Sequence, residues 1–259
     1  MAEGGQNTFR FSISWSRILP KNDHVVNPAG LAFYDRVLDA CEKYGIVPNV
    51  TLIHYDLPDY IGDQGGWCYP GVADEFAFYC SVVFKHFGDR IPLYVTINEP
   101  NHNSYCSYLV GNYPPNHVGD VQNLVKVCYH NMVANAMAVR EFRKLNLKAK
   151  IGIVNSGASR ADILKDTPEY QEAKRYANML FHGWLIGAAV LGKFPEGLGE
   201  TLRKLGVDLS FVRQEDLDLI KEYTVDWIGD NIYARKLVKP YEFGETQMVV
   251  NNDPRQSQA

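Results

Sequence analysis

The stretch Thr96–Asn101 (TINEPN) places a carboxylate, Glu99, between an amide side chain and a proline. It follows directly on the apolar, β-branched run LYVTI, so Glu99 is expected at the end of a strand and at the mouth of a site. A positioned carboxyl group can donate or accept a proton in a reaction, which makes Glu99 a candidate for general acid and base catalysis. The question is whether its chemical partner lies in the same chain.

Other polar signatures also come at the ends of apolar runs. They are SWSR at 14–17, HYDLP at 54–58, NS at 155–156 and DNIY at 230–233. Functional side chains at the carboxyl ends of parallel strands are typical of a (β/α)8 barrel, whose sites are built from the loops at that end. The pattern therefore predicts one site assembled from several strand ends.

Apolar, β-rich runs alternate with helical patterns along the chain. The runs are near-continuous, as in parallel strands covered on both faces, and lie at 9–15, 47–55, 93–99, 150–155 and 224–233. Helices are predicted at about 28–44, 70–87, 120–144, 168–190, 198–205 and 214–223. This alternation predicts an α/β fold with a parallel sheet and right-handed crossovers.

The predicted fold class is α/β, an incomplete (β/α)8 TIM barrel. A closed barrel has eight strands, and the sequence offers five of the eight, so residues 1–259 are predicted to form a single partial-barrel domain. A doubly wound sheet is the alternative, but it calls for a glycine-rich phosphate turn after its first strand. Neither G-x-G-x-x-G nor a P-loop sequence occurs in the chain.

Composition excludes several classes of protein. A net charge of −4 argues against a general nucleic-acid or membrane-surface binder. No apolar run approaches the ~18 residues that span a bilayer, and the first residues lack the features of a signal peptide. Five cysteines without a C-x-x-C pair indicate reduced thiols in a cytoplasmic protein. The histidines show no metal-ligand spacing, so no metal is predicted.

Five segments together resemble glycoside hydrolase family 1, the retaining β-glucosidases and 6-phospho-β-glucosidases. They are FRFSISWSRILP at 9–20, NPAGLAFYDRVLDACEKYGIVPNVTLIHYDLP at 27–58, GGW at 65–67, YVTINEPN at 94–101 and DWIGDNIY at 226–233. The resemblance implies that the chain runs from barrel strand 2 to strand 6. The family's strand 1 with Q-x-E-G, strand 7 with the I-T-E-N-G nucleophile, and strand 8 have no counterpart, so a fragment is expected.

The resemblance implies roles for four residues at strand ends. Glu99 matches the general acid/base of a double-displacement mechanism, in which a second carboxyl group about 5–5.5 Å away is the nucleophile. Asn98 matches the residue that hydrogen-bonds the sugar 2-hydroxyl, and His54 matches the one that contacts the ring hydroxyls. Asn231, in the strand-6 N-x-Y sequence, matches a substrate-binding position.

Two more residues match positions that act on the nucleophile. Arg10 matches the arginine that hydrogen-bonds its carboxylate, and Tyr233 matches the tyrosine that orients it. Tyr55 departs from the family, which commonly has tryptophan there, and Ile232 stands where tyrosine is usual. The implied partner is a small-molecule β-glycoside or phosphorylated disaccharide, with no cofactor. The loops that choose between a glucoside and its 6-phosphate belong to strand 8.

Three aspartates near predicted strand ends, Asp56, Asp226 and Asp230, are the other candidates for a nucleophile. A shorter side chain on the wrong strand would have to reach across the barrel mouth, so none is expected to act. Two interpretations of the chain stay open: the acid/base part of a retaining β-glycosidase, or a catalytically inactive truncated fragment or interaction module. A third interpretation is an unrelated α/β binding protein, but the polar signatures at the strand ends would then be a coincidence.

Overall fold

The computed structural model describes residues 1–157, 161–233, 236–240 and 249–252, the last of these as backbone alone. Its strands are β1 Thr8–Ser12, β2 Val47–Ile53, β3 Leu93–Asn98, β4 Lys150–Gly157, β5 Asp162–Ile163, β6 Trp227–Ile232, β7 Lys236–Lys239 and β8 Val249–Asn252. Its α-helices are α1 Trp15–Ile18, α2 Pro28–Lys43, α3 Asp59–Gly62, α4 Val72–Phe87, α5 Pro100–Tyr105, α6 Val121–Arg143, α7 Pro168–Asn178, α8 Trp184–Leu191, α9 Leu198–Lys204 and α10 Gln214–Glu222. The π-helical segments are Cys106–Val110 and Met179–Gly183, and the 3-10 turns are Ala2–Gly4, Gly66–Cys68 and Gly88–Arg90.

The main sheet is parallel and has the strand order β1-β2-β3-β4-β6. Each of its strands coincides with one of the predicted apolar runs, so the five-strand prediction is confirmed. Helices α2, α4 and α6 connect successive strands. The register aligns the carboxyl ends, with Ser12 opposite Thr51 and Asn98 opposite Val154. The residues that follow these strands are therefore brought to one edge of the sheet.

The predicted helices are present, and α2 shows how local sequence fixes their ends. The Asn27 side chain accepts a hydrogen bond from the Ala29 amide at 3.1 Å, and Pro28 takes the first helical position. The helix buries Tyr34 and Leu38 against the core. The pattern at 168–190 proves to be two helices, α7 and α8, joined through the second π-helical segment.

A small second sheet, with strand order β5-β7-β8, was not predicted. Strand β7 pairs with β5 in parallel and with β8 in antiparallel orientation. The region between 155 and 224, predicted as helices and loops, therefore contains one short strand. Strand β5 has two residues and β7 has four, which is too short for hydrophobic periodicity to indicate a strand.

Helix α4 packs its apolar face on the main sheet and ties two strand ends together. Tyr79 is fully buried, and its hydroxyl donates to the carbonyl oxygens of Ile13 at 3.1 Å and Leu52 at 2.9 Å. The Trp15 ring stacks on Tyr79 with their centroids 5.3 Å apart. These contacts hold the ends of β1 and β2 in register just before the residues that follow them.

Tyr79→Phe is expected to lower the free energy of unfolding by about 2 kcal/mol, because it leaves two buried carbonyl oxygens without this donor. Urea denaturation of both proteins measures the difference. Tyr44→Phe is the matched control, since Tyr44 is 58% exposed, and a surface change of this kind alters stability by less than about 0.5 kcal/mol. Equal effects of the two substitutions would contradict the role of the Tyr79 hydroxyl.

Three general features concern the described ranges as a whole. None of their helices combines the length and the apolar character that a membrane span requires. Within the same residues, no three side chains of His, Cys, Asp or Glu form a group that could hold a metal ion. Cys41, Cys68, Cys80, Cys106 and Cys128 are free thiols.

Candidate active site

Glu99 directly follows β3 and precedes Pro100, which begins α5. Its backbone has φ 46° and ψ 53°, a left-handed conformation that is uncommon for a residue with a side chain. The Glu99 amide donates to the Val154 carbonyl oxygen at 2.7 Å, which continues the β3–β4 pairing where the chain turns into the helix. The residue is 4% exposed. Backbone strain of about 1–3 kcal/mol at such a position is typical of functional sites.

Two donors hold the Glu99 carboxylate, one on each oxygen. The Tyr55 hydroxyl donates to Oε2, and Asn231 Nδ2 donates to Oε1 at 2.7 Å. Tyr55 also has a left-handed backbone, with φ 77°. A buried charge without partners is costly, so these donors stabilise the carboxylate and fix its orientation.

Asn98 links the residues around Glu99 into one network. Its Oδ1 accepts from Arg10 Nη2 at 2.7 Å and from Asn231 Nδ2 at 3.3 Å. Its Nδ2 donates to His54 Nε2 at 3.2 Å. Since Asn98 Nδ2 is a donor, His54 Nε2 is the acceptor and the imidazole is neutral. The Asn98 amide, at the end of β3, thus joins side chains from β1 and from the ends of β2 and β6.

Arg10 lies on β1 and points into this network. Its Nε donates to Thr51 Oγ1 at 3.0 Å, in addition to the bond to Asn98. Burial lowers the pKa of Arg10, and the nearby Glu99 raises it in part. Among the described residues, no carboxylate lies within ion-pair distance of Arg10. A partly buried guanidinium in this state is a ready partner for an anion.

His54 is expected to titrate below the ordinary histidine pKa of about 6.5. Partial burial is the main cause of its lowered pKa, and the Arg10 cation lowers it further. In Arg10→Met the cation is gone, so the His54 pKa should rise. NMR titration of the imidazole protons measures both proteins, with Arg17→Met as the control arginine. A His54 pKa that is unchanged in Arg10→Met would contradict this electrostatic contact.

Tyr233, at the end of β6, lies outside the hydrogen-bond network. Its side chain is 79% exposed, and it makes no hydrogen bond to any residue that the structure describes. Tyr233 still lies near Arg10, where it partly offsets the lowering of the Arg10 pKa by burial. The structure thus brings five of the six predicted site residues together and leaves Tyr233 on the rim.

Sequence reasoning missed two members of the site. Tyr55 was noted as a departure from the family and not as a partner of Glu99, although it adjoins His54 in the HYDLP signature. Thr51 had no strand-end signal, since it lies within β2. Its place opposite Ser12 in the parallel register is the feature that brings it near β1. Tyr113 also packs against Tyr55, with centroids 5.8 Å apart.

The three strand-end aspartates are engaged elsewhere. Asp56 accepts from Ser14 Oγ at 3.0 Å, and Asp230 accepts from Asn155 Nδ2 at 3.0 Å. Asp226 precedes β6 at its amino end, where it pairs with Arg143 at 2.7 Å. Asp226 is therefore at the opposite edge of the sheet from Glu99.

The curated proteins that this chain resembles include a β-glucosidase and a 6-phospho-β-glucosidase. It is 34% identical over 239 residues to β-glucosidase A of Acetivibrio thermocellus, covering 92% of this chain and 52% of that protein. It is 34% identical over 250 residues to 6-phospho-β-glucosidase GmuD of Bacillus subtilis, covering 93% and 51%. The chain spans about half the length of the curated relatives it matches.

Solved structures give the same result for the fold. The family 1 β-glucosidase from Thermotoga maritima matches with a TM-score of 0.87 at 31% identity, covering 97% of this chain and 56% of that one. A β-glucosidase from Exiguobacterium marinum matches with a TM-score of 0.89 at 27% identity, covering 98% and 57%. The five-stranded sheet is therefore part of a (β/α)8 barrel, as predicted. The family described as glycosyl hydrolase family 1 matches residues 1–259 throughout, and this chain belongs to it.

Proposed function

We propose that this chain provides the acid/base part of the active site of a retaining β-glycosidase. The observation that carries the proposal is the Glu99 carboxylate, buried at a strand end and held on both oxygens by Tyr55 and Asn231. Asn98, the adjacent residue, joins it to Arg10 and His54. Membership of glycosyl hydrolase family 1 supplies the reaction class.

Glu99 acts twice in the proposed reaction. In the first step, its acid form donates a proton to the glycosidic oxygen while the C1–O bond breaks and a second carboxylate bonds to C1. In the second step, the Glu99 carboxylate takes a proton from a water molecule whose oxygen bonds to C1, and the bond from C1 to the second carboxylate breaks. Glu99 regains its proton, and the sugar leaves with its anomeric configuration retained.

The other site residues divide between sugar and nucleophile. Asn98, His54 and Asn231 carry amide and imidazole groups that suit sugar hydroxyls, and a bond to the 2-hydroxyl strengthens as the transition state gains positive charge. Arg10 and Tyr233 would orient the nucleophile. The guanidinium of Arg10, without a carboxylate partner among the described residues, supports this role.

The proposed nucleophile lies outside these 259 residues, because no I-T-E-N-G segment occurs in the sequence. We therefore propose that the chain alone is inactive. The missing I-T-E-N-G segment is also consistent with a second candidate, a catalytically inactive fragment or interaction module. A reading frame that continues into a second carboxylate segment distinguishes the two.

The proposed substrates are small molecules, β-glucosides or 6-phospho-β-glucosides. The proposed reaction needs no cofactor. Sequence identity does not distinguish these two substrate classes, since the chain is 34% identical both to a β-glucosidase and to a 6-phospho-β-glucosidase. Five free thiols favour a reducing compartment, and we place the protein in the cytoplasm.

The test uses a completed barrel, in which this chain is joined to the part of the Thermotoga maritima enzyme that it does not cover. The completed barrel and the chain alone are assayed on 4-nitrophenyl β-glucoside and on its 6-phosphate side by side. Turnover by the completed barrel that depends on Glu99 supports the proposal. A folded but inactive completed barrel favours the interaction module.

A further inference from the structure

A large cavity lies among helices α5, α6, α8, α9 and α10, and Glu99 is not one of its lining residues. Its volume is about 540 Å³. Its walls are mainly apolar and include Leu124, Trp184, Phe194 and Phe211. Packed protein interiors contain few voids larger than a water molecule, whereas small-molecule pockets measure about 300–1,000 Å³ and are mostly apolar. The size and lining of this cavity are those of a ligand pocket.

The π-helical segments of the described chain both contribute to this cavity. Leu109 comes from the first segment, and Leu180 and Phe181 come from the second. π-Helical turns are rare, and they occur frequently at functional sites because they re-aim the side chains of a helix. Two such turns on one cavity are an indication, independent of its volume, that the walls are shaped for a ligand.

Two cations line the cavity: Arg203 on α9, whose side chain is exposed, and Lys236 on strand β7, which is half-buried. Its ammonium group is 5.1 Å from the centroid of the Phe181 ring. Among the described residues, no carboxylate pairs with it and no side chain or carbonyl hydrogen-bonds it. Burial lowers the pKa of Lys236. A half-buried ammonium group without an anion is unfavourable, and an anionic ligand would relieve that cost.

Asn101 also lines the cavity, and its side-chain amide is already hydrogen-bonded through both its nitrogen and its oxygen. Asn101 Nδ2 donates to the carbonyl oxygens of Ser156 at 3.2 Å and Phe181 at 3.3 Å, and its Oδ1 accepts from the Ser156 amide at 3.0 Å. Lys236 is therefore the half-buried cation that is available to recognise a charge. A half-buried cation beside apolar walls suits a single negative charge on an apolar body.

We propose that this cavity binds an amphipathic small molecule with an apolar body and one carboxylate, which pairs with Lys236. The apolar body lies between the aromatic and leucine side chains, where its removal from water supplies most of the affinity. Glu99 does not line this cavity, so the ligand would bind at a site other than the Glu99 carboxylate.

The test measures binding of dodecanoate to the isolated chain by calorimetry, with dodecanol as the uncharged ligand of the same length. Wild type should bind one dodecanoate per chain and bind dodecanol about tenfold more weakly, since a charge-assisted bond is lost. Lys236→Met keeps the apolar stem and should weaken dodecanoate binding about tenfold. Lys239→Met, on the exposed end of the same strand, is the matched control and should leave binding unchanged.

A filled cavity provides the second arm of the test. A Cβ added at Gly199, which lines the cavity, meets its nearest neighbours at 3.6 Å (Arg203) and 3.8 Å (Leu209), so there is room for a side chain, and Gly199→Phe is chosen to fill the cavity. It should abolish binding while circular dichroism shows an unchanged fold. Equal affinity for dodecanol and dodecanoate in wild type, binding that survives Gly199→Phe, or no binding to wild type would each overturn the proposal.

Discussion

Purified on its own, the 259-residue chain is expected to release no measurable aglycone from 4-nitrophenyl β-glucoside or from its 6-phosphate. Among the described residues, the site has a proposed proton donor in Glu99 but no carboxylate placed to attack the anomeric carbon, and covalent catalysis fails without its nucleophile. Asp56 and Asp230 are hydrogen-bonded to Ser14 and Asn155, and Asp226 is at the other edge of the sheet. Joining the chain into the completed barrel should raise the turnover from background to about 1–1,000 per second, the usual range for enzymes.

The control for this prediction is the completed barrel with its supplied nucleophile changed to glutamine, which should return to background. Turnover by the isolated chain that is abolished by Glu99→Gln would contradict the prediction. It would mean that one of the three aspartates reaches the anomeric carbon, and Asp56→Asn, Asp226→Asn and Asp230→Asn in the isolated chain would identify which.

Glu99→Gln in the completed barrel is expected to lower kcat/KM by about 100- to 10,000-fold, the contribution of a positioned acid or base. The Gln amide keeps the shape of the carboxyl group: its oxygen still accepts from Asn231, and its nitrogen donates to the Tyr55 hydroxyl oxygen, which reverses the direction of that bond. The loss should be greatest for a poor leaving group such as an alkyl alcohol, since proton donation matters most there. It should be small in the first step for 2,4-dinitrophenol, which departs as a stable anion.

Asp56→Asn is the matched control for Glu99→Gln. Asp56 is also a strand-end carboxylate, but it contacts Ser14 and not the Glu99 network. Steady-state rates over a series of aryl leaving groups give the comparison. A loss in Glu99→Gln that is the same for every leaving group would mean that Glu99 holds the substrate and transfers no proton.

Local sequence was sufficient for the barrel elements because their signals are strong and near-continuous. Strand β3 follows from the run LYVTI, and α2 follows from Asn27, Pro28 and the apolar face behind them. The second sheet carries no such signal, since β5 and β7 are short and depend on each other for pairing. The π-helical segment Met179–Gly183 was equally hidden, because it lies inside the pattern at 168–190, which indicates an uninterrupted helix. The segment Cys106–Val110 lies where no helix was predicted.

Sequence pattern predicted those site residues that lie at the ends of strands. The parallel register places Asn98, Glu99 and Asn231 together, and a motif at each strand end marks them. The donor from Tyr55 depends on its left-handed backbone, which no propensity predicts for tyrosine. Tyr233 lies in the same strand-end motif as Asn231, so sequence pattern could not indicate that its side chain is exposed.

Azide tests the role of Glu99 most directly, because this anion attacks carbon without help from a base. With 2,4-dinitrophenyl β-glucoside, the completed barrel carrying Glu99→Ala should form the covalent intermediate and then stall, since no group activates water. Added azide should restore turnover by attacking C1 from the face that water uses.

The product of that reaction decides the assignment. Two displacements at C1 give the β-glucosyl azide, identified by the coupling of its anomeric proton in NMR, and this is the predicted result. The α-glucosyl azide would mean a single displacement, with azide in the place of a missing nucleophile, and Glu99 would then be the attacking carboxylate. Failure of azide to raise the rate of Glu99→Ala would likewise contradict a general base role for Glu99.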